Sequence, residues 1–130
     1  MIIKSIEIYA HALPIVGGPY IMSSGPLEAV DSTIVRMIGE TGTVGWGETC
    51  PLGPTYAPAH AQGARAALSV LAPALIGQEI SGPNALQTIM DQHLAGHAYA
   101  KAALDIAFYD LLGQSTGRSV AELLGGALVR

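Results

Sequence analysis

Apolar and polar residues alternate at the start of the chain. Ile2, Ile6, Ile8, Ala10 and Ala12 share one side, and Ser5, Glu7, Tyr9 and His11 share the other. A period of two predicts a half-buried β-strand over residues 2–12. Residues 32–38 are rich in β-formers, with Thr33, Ile34, Val35 and Ile38. Gly39-Glu40-Thr41-Gly42 then reads as a turn, and residues 44–48 complete an antiparallel hairpin. Between the first two strands, residues 14–26 are broken repeatedly by Gly and Pro and read as a long mobile loop. Loops of that length in compact domains are usually functional or disordered.

After Tyr56 the period becomes helical. Pro58 suits a first helical turn, and Ala61, Ala64, Leu68, Leu71 and Leu75 form a stripe whose end Pro73 should break or kink. Ser81 or Gly82 caps a second helix with Pro83 in its first turn. Leu86, Ile89, Met90 and Leu94 make its buried face, and Gly96 stops it. The third helix has the cleanest stripe: Ala100, Ala103, Leu104, Ala107, Phe108, Leu111 and Leu112. Lys101, Asp105 and Tyr109 run along its more polar side, with Lys101 and Asp105 spaced to pair. Gly117 fits its end; Ser119 and Glu122 form a capping box for a short last helix, which Gly125-Gly126 closes. Strands followed by helices make an α+β domain, here a three-stranded antiparallel meander and then a helical bundle.

The chain has 130 residues, enough for one domain that buries roughly two thirds of its unfolded surface. Only 12% of the residues are charged, where about 25% is usual. Two readings fit this: part of the exterior is covered by a second domain or another subunit, or an Ala-rich core is simply well filled. The net charge of −4, with six scattered Lys and Arg, argues against a nucleic-acid partner. The most apolar stretch, residues 66–77, is interrupted by Ser69 and Pro73 and is too short to span a membrane. Lys4 and Glu7 interrupt the first apolar alternation, so it does not read as a signal peptide. The single cysteine, Cys50, leaves no internal disulfide and fits a cytoplasmic location.

Three segments carry a resemblance. They are Thr43-Val44-Gly45-Trp46-Gly47-Glu48, the run Ala102-Ala103-Leu104-Asp105-Ile106-Ala107-Phe108-Tyr109-Asp110-Leu111-Leu112-Gly113, and Gly117-Arg118-Ser119-Val120-Ala121-Glu122-Leu123-Leu124-Gly125-Gly126. Together they resemble the N-terminal capping domain of the enolase superfamily, of the mandelate racemase and muconate lactonizing enzyme type, and the resemblance covers essentially the whole chain. Asp31-Ser32-Thr33-Ile34-Val35-Arg36 and Pro51-Leu52-Gly53-Pro54-Thr55-Tyr56 are most similar to hydroxyproline-betaine epimerases and cis-3-hydroxyproline dehydratases. The resemblance implies a Mg²⁺-dependent enzyme in which a (β/α) barrel carries the metal-binding carboxylates and the acid/base groups, and abstracts a proton next to a carboxylate. It implies that the capping domain, residues 1–130, supplies two lid loops over the barrel mouth, residues 16–24 and 49–56. It also implies a homo-oligomer and a small carboxylate as substrate. A barrel takes about 250 residues, and its first strand would begin near Arg130, so the barrel is absent from this sequence and the chain alone should be inert. A non-catalytic binding or assembly module that kept the capping fold is the alternative.

Tyr20 and Tyr56 lie in the two lid loops, so their phenols either line a substrate pocket or pack the loops as amphipathic rings. Ile21 and Met22 could wall a small ring, and Thr55 stands beside Tyr56. His93 and His97 are four apart, a metal spacing on a continuous helix, but Gly96 interrupts them and they read as a solvated helix end. Glu48 ends a strand beside a loop and reads as a carboxylate that fixes the loop. Asp105 and Asp110 read as structural. Cys50 has no neighbouring base or cation in the sequence to activate it. The Gly-rich run 42–47 sits inside a hairpin and opens no helix, so it is not a phosphate loop. No residue of the chain is read as catalytic or as a metal ligand.

Overall fold

The computed structural model describes residues 1–126. Strands β1 (Ile3–Pro14), β4 (Ala29–Gly39) and β5 (Val44–Thr49) form one antiparallel sheet in the order β1-β4-β5. Helices α1 (Ala61–Leu75), α2 (Pro83–His93), α3 (Ala98–Thr116) and the short α4 (Val120–Leu123) follow. This is the α+β order that the change of period near Tyr56 predicts. No barrel is present among the described residues, and the expected barrel start at Arg130 lies outside them.

One face of the sheet carries the core. Val35 and Met37 of β4 are buried against Leu68, Leu71, Leu104 and Phe108 of the helices. β1 departs from the simple alternation. Its register slips between Ile3 and Ser5, a bulge that puts Ile3 into the core on the same side as Ile6 and Ile8. Ile2, expected on that side, instead bridges to Glu79. Ala10 and Ala12, also expected inside, are exposed, because α3 lies chiefly on β5 and leaves the far half of the outer strand uncovered.

The β1–β4 ladder runs further than side-chain pattern alone suggests, from Ile6 opposite Met37 out to Pro14 opposite Ala29. The expected long loop therefore shrinks, and it contains a small hairpin, β2 (Tyr20–Met22) with β3 (Gly25–Leu27). Main-chain pairing carries both extensions, and it leaves little periodic signature in exposed segments.

The helices keep their predicted stripes, with three corrections. α1 starts later than Pro58: His60 is its N-cap, with Nδ1 accepting from the Gly63 N–H at 3.1 Å. Pro73 does not break the helix, which runs two residues beyond it to Leu75. Lys101 is buried rather than on a polar side, and it pairs with Asp91 of α2 at 2.5 Å, not with Asp105. The second helix packed alongside supplies a carboxylate that no reading of α3 alone could supply. The Ser119–Glu122 capping box is present in full, and Gly117 ends α3 in the left-handed region.

α3 approaches β5 backbone to backbone. A Cβ on Gly45 would lie 2.2 Å from the Ala107 carbonyl oxygen, and one on Gly47 would lie 2.0 Å from that of Ala103. Opposite them α3 presents Ala103 and Ala107, both fully buried. Asp110 then accepts the Trp46 N–H at 2.8 Å, satisfying a donor on the open edge of β5. Gly47→Ala must push these backbones apart and should lower unfolding free energy by about 3 kcal/mol or more. Gly82→Ala is the control, since nothing lies within 4 Å of its added methyl. Urea melts of both variants check this; equal midpoints would show that the seam yields.

Candidate functional site

β1 ends, β4 begins and β5 ends at the same edge of the domain, so both loops singled out by the sequence leave the sheet together. The first is closed at its base by the Ile15 N–H donating to the Glu28 carbonyl at 3.1 Å. Gly17 and Gly18 turn it with positive φ, and the β2–β3 hairpin forms its tip. The second, residues 50–60, is folded tightly at Gly53, whose carbonyl accepts from the N–H groups of Tyr56 (3.1 Å) and Ala57 (3.2 Å). It ends where His60 caps α1.

Tyr20, Ile21 and Tyr56 stand 57%, 72% and 70% exposed, and Met22 is half-buried. Thr55 is exposed next to Tyr56. The structure brings together the bases of the two loops rather than these five side chains. A cavity of ≈ 200 Å³ between them is lined by Leu27 and Ala29 on one side and by Pro51, Leu52 and Pro54 on the other. None of the five residues lines it.

What anchors the bases was only partly legible. Arg65 of α1 grips Asp31 with both nitrogens, at 2.9 and 3.0 Å, and its Nη1 also reaches the Thr33 hydroxyl at 3.3 Å. The guanidinium holds the Asp31 carboxyl below the usual carboxylate range. Glu48 does fix its surroundings, but through the buried Ser32 hydroxyl, which donates to it, and not through backbone. Burial, and then the nearby Glu48 charge, push the Cys50 thiol up, which disfavours the thiolate. Sequence spacing could not reveal Asp31–Arg65, whose partners lie 34 residues apart.

The electrostatics of the loops are simple. Residues 15–27 and 50–59 contain no Asp, Glu, Lys or Arg. They can offer rings, hydroxyls and backbone to a ligand, but no charge. Elsewhere, the His93 Nδ1 lies 2.9 Å from the Ile89 carbonyl and the His97 Nδ1 lies 3.1 Å from that of Ala95, so each turns to its own helix end. Among the described residues no three His, Cys, Asp or Glu side chains group to hold a metal ion, so these residues do not fit a magnesium site. No helix among them is long and apolar enough to cross a membrane.

Residues 5–125 match the family described as mandelate racemase / muconate lactonizing enzyme, N-terminal domain. The chain is 44% identical over 128 residues to a cis-3-hydroxy-L-proline dehydratase of Roseibium aggregatum, covering 98% of this chain and 35% of that protein. It superposes with a TM-score of 0.85 on a member of the enolase superfamily from Roseovarius nubinhibens, complexed with magnesium, at 39% identity, covering 95% of this chain and 33% of that one. A dipeptide epimerase from Cytophaga hutchinsonii, complexed with Mg and the dipeptide D-Ala-L-Val, gives 0.88 at 30% identity, covering 100% of this chain and 35% of that one. The chain thus spans about a third of the length of these relatives.

The Asp31 ion pair has a pH signature. Its carboxyl is depressed in the folded state, so the stability it contributes is present above the unfolded pKa of about 3.9 and is lost as pH falls through the folded value. Asp31→Asn should therefore lose less stability than the parent between pH 6 and pH 3. Urea midpoints at the two pH values measure this, and parallel losses would show that the pair contributes nothing.

Proposed function

The chain belongs to the mandelate racemase / muconate lactonizing enzyme N-terminal domain family of the enolase superfamily, and from that premise we propose that it is the capping part of an enzyme whose (β/α) barrel carries the chemistry. The observation that carries this reading is the pair of uncharged loops leaving one end of a rigid sheet. Loops of that kind can close over a small ligand, exclude water and strengthen charge interactions made by groups beneath them. Residues 16–24 and 49–56 are the lids, with Tyr20, Ile21, Met22, Thr55 and Tyr56 facing the substrate.

The substrate class is a small carboxylate such as a hydroxyproline or a proline betaine, from which a proton next to the carboxylate is removed. The kinship with the Roseibium dehydratase supports the proline-like choice. Magnesium, present in the solved relatives, would stabilise the negative charge that develops on the carboxylate, and the barrel would hold it. What this chain adds is shape and the exclusion of water. The enzyme works in the cytoplasm as a homo-oligomer.

The test is a chimera in which this chain replaces the matching N-terminal third of the Roseibium dehydratase. Tyr56→Phe removes one hydroxyl and keeps the ring. Losing a hydrogen bond to a charged group costs about 1.5–3 kcal/mol, so kcat/KM for cis-3-hydroxy-L-proline should fall roughly ten- to a hundred-fold. The melting temperature should not move, because the side chain is exposed. Unchanged kinetics would remove Tyr56 from the site.

A further inference from the structure

Helix α1 begins on a histidine. His60 has extended backbone, and its Nδ1 accepts the Gly63 N–H at 3.1 Å, one of the donors that every helix start leaves open. Ser, Thr or Asn in that place would accept at any pH. An imidazole accepts only through an unprotonated nitrogen, so the cap exists while His60 is neutral, with the ring proton on Nε2. The packing leaves space for the ring over the first turn. A Cβ on Gly63 would lie 2.6 Å from the Tyr99 hydroxyl of α3 and 3.0 Å from the His60 Nε2, so the missing side chain keeps that space free. His60 is also where the second loop ends. Inside the loop, main-chain bonds run only from Tyr56, Ala57 and Ala59 to Gly53 and Ala57. Among the described residues no side chain of residues 51–59 makes a hydrogen bond, so the His60 ring is what fastens the far end of the loop to α1.

We propose that His60 is a positioning residue for the second lid: neutral, it fastens residues 50–59 to α1, and on taking up a proton it lets them go. The inference rests on the capping role proposed above. His60 lines the cavity between the two loop bases together with Asp31 and Leu27, so the point of release lies where the lids meet. The charges around it do not favour a cation. Asp31 of β4 is a carboxylate, but both its oxygens are held by Arg65 of α1, whose own charge offsets it. Tyr99 of α3 shares the space over Gly63, and Gln62 of the first turn stands 3.4 Å from Nδ1. The loop itself has no Asp, Glu, Lys or Arg. A proton on His60 also sets a positive charge against the positive end of the helix macrodipole. The contribution of the cap is therefore full at high pH and is lost as pH falls, in the range of about pH 8 to 5 where histidines change charge.

The test compares His60→Asn, which keeps an accepting cap that does not titrate, with His60→Ala, which keeps none. In the 130-residue chain, melting temperatures are read at pH 8 and pH 5.5. Between them the parent should lose about 3 °C more than His60→Asn, and at pH 8 His60→Ala should already have lost about as much. In the chimera, His60→Ala should lower kcat/KM for cis-3-hydroxy-L-proline at pH 8 by roughly five-fold, the ratio to which a lost cap corresponds, while His60→Asn keeps the parent value. At pH 5.5 His60→Asn should exceed the parent by about the same factor, because titrations in the barrel are common to both. Parallel melting losses in the parent and His60→Asn overturn the cap as a switch. Melts as expected, with equal kcat/KM in the parent and both variants at each pH, overturn the positioning and leave the capping role standing. A parent chimera that is inactive at pH 8 removes the capping role and the positioning with it.

Discussion

Gly45 and Gly47 set how closely α3 can lie on the sheet, and the rest of the domain is arranged around that distance. With no Cβ on either, the strand meets the helix backbone at Ala103 and Ala107 rather than through side chains. Contact this close leaves the larger side chains, Phe108, Leu104 and Leu111, to fill the space beside the seam. Asp110 completes it by accepting the edge N–H of Trp46 between the two glycines. α1 and α2 then pack against a helix whose position is already determined, and the Lys101–Asp91 pair ties α2 to it. A buried lysine with its carboxylate partner helps choose this arrangement over slipped ones, since losing the exposed Asp91 would strand the buried Lys101 charge.

The domain has a stiff part and a plain one. Side-chain packing, ion pairs and caps concentrate where sheet and helices overlap, while the two loops beyond them are small, uncharged and exposed. Arg65 joins the two parts: anchored on α1, it holds Asp31 and Thr33 at the point where β4 enters the sheet. Residues of both loop bases, Leu27 and Ala29 from one and Pro51, Leu52 and Pro54 from the other, line a common cavity. On the outer face of the sheet, Glu7 pairs with Arg36 at 2.9 Å and takes the Tyr9 hydroxyl, and Arg36 lies over the Trp46 ring. That row of cross-strand contacts stiffens the sheet from the side the helices do not reach.

Much of this was legible before any coordinates. The stripes of α1, α2 and α3, the turn at residues 39–42 and the capping box each rest on residues close in sequence, where spacing reports geometry directly. The Gly-Trp-Gly run was visible as a strand, but its purpose was not, because that depends on a helix about 60 residues away. The bulge at Ile3–Ser5 and the small hairpin at residues 20–27 were missed for a similar reason: main-chain pairing creates them, and pattern records only side chains. Asp31–Arg65 and Lys101–Asp91 were beyond reach, since a charge seen in sequence offers several partners and only packing selects one. For the site, the sequence located the two loops. That they share an edge of the domain follows from strand direction, which the sequence implied without displaying.

Amide hydrogen exchange of the 130-residue chain tests most directly whether a rigid frame carries two separate loops. Amides of β4, β5 and α3 should exchange only by global unfolding, slowest at the Gly45–Gly47 seam, while residues 16–24 and 50–59 exchange orders of magnitude faster. Loop amides as protected as the seam, or α3 amides exchanging as fast as the loops, would contradict it.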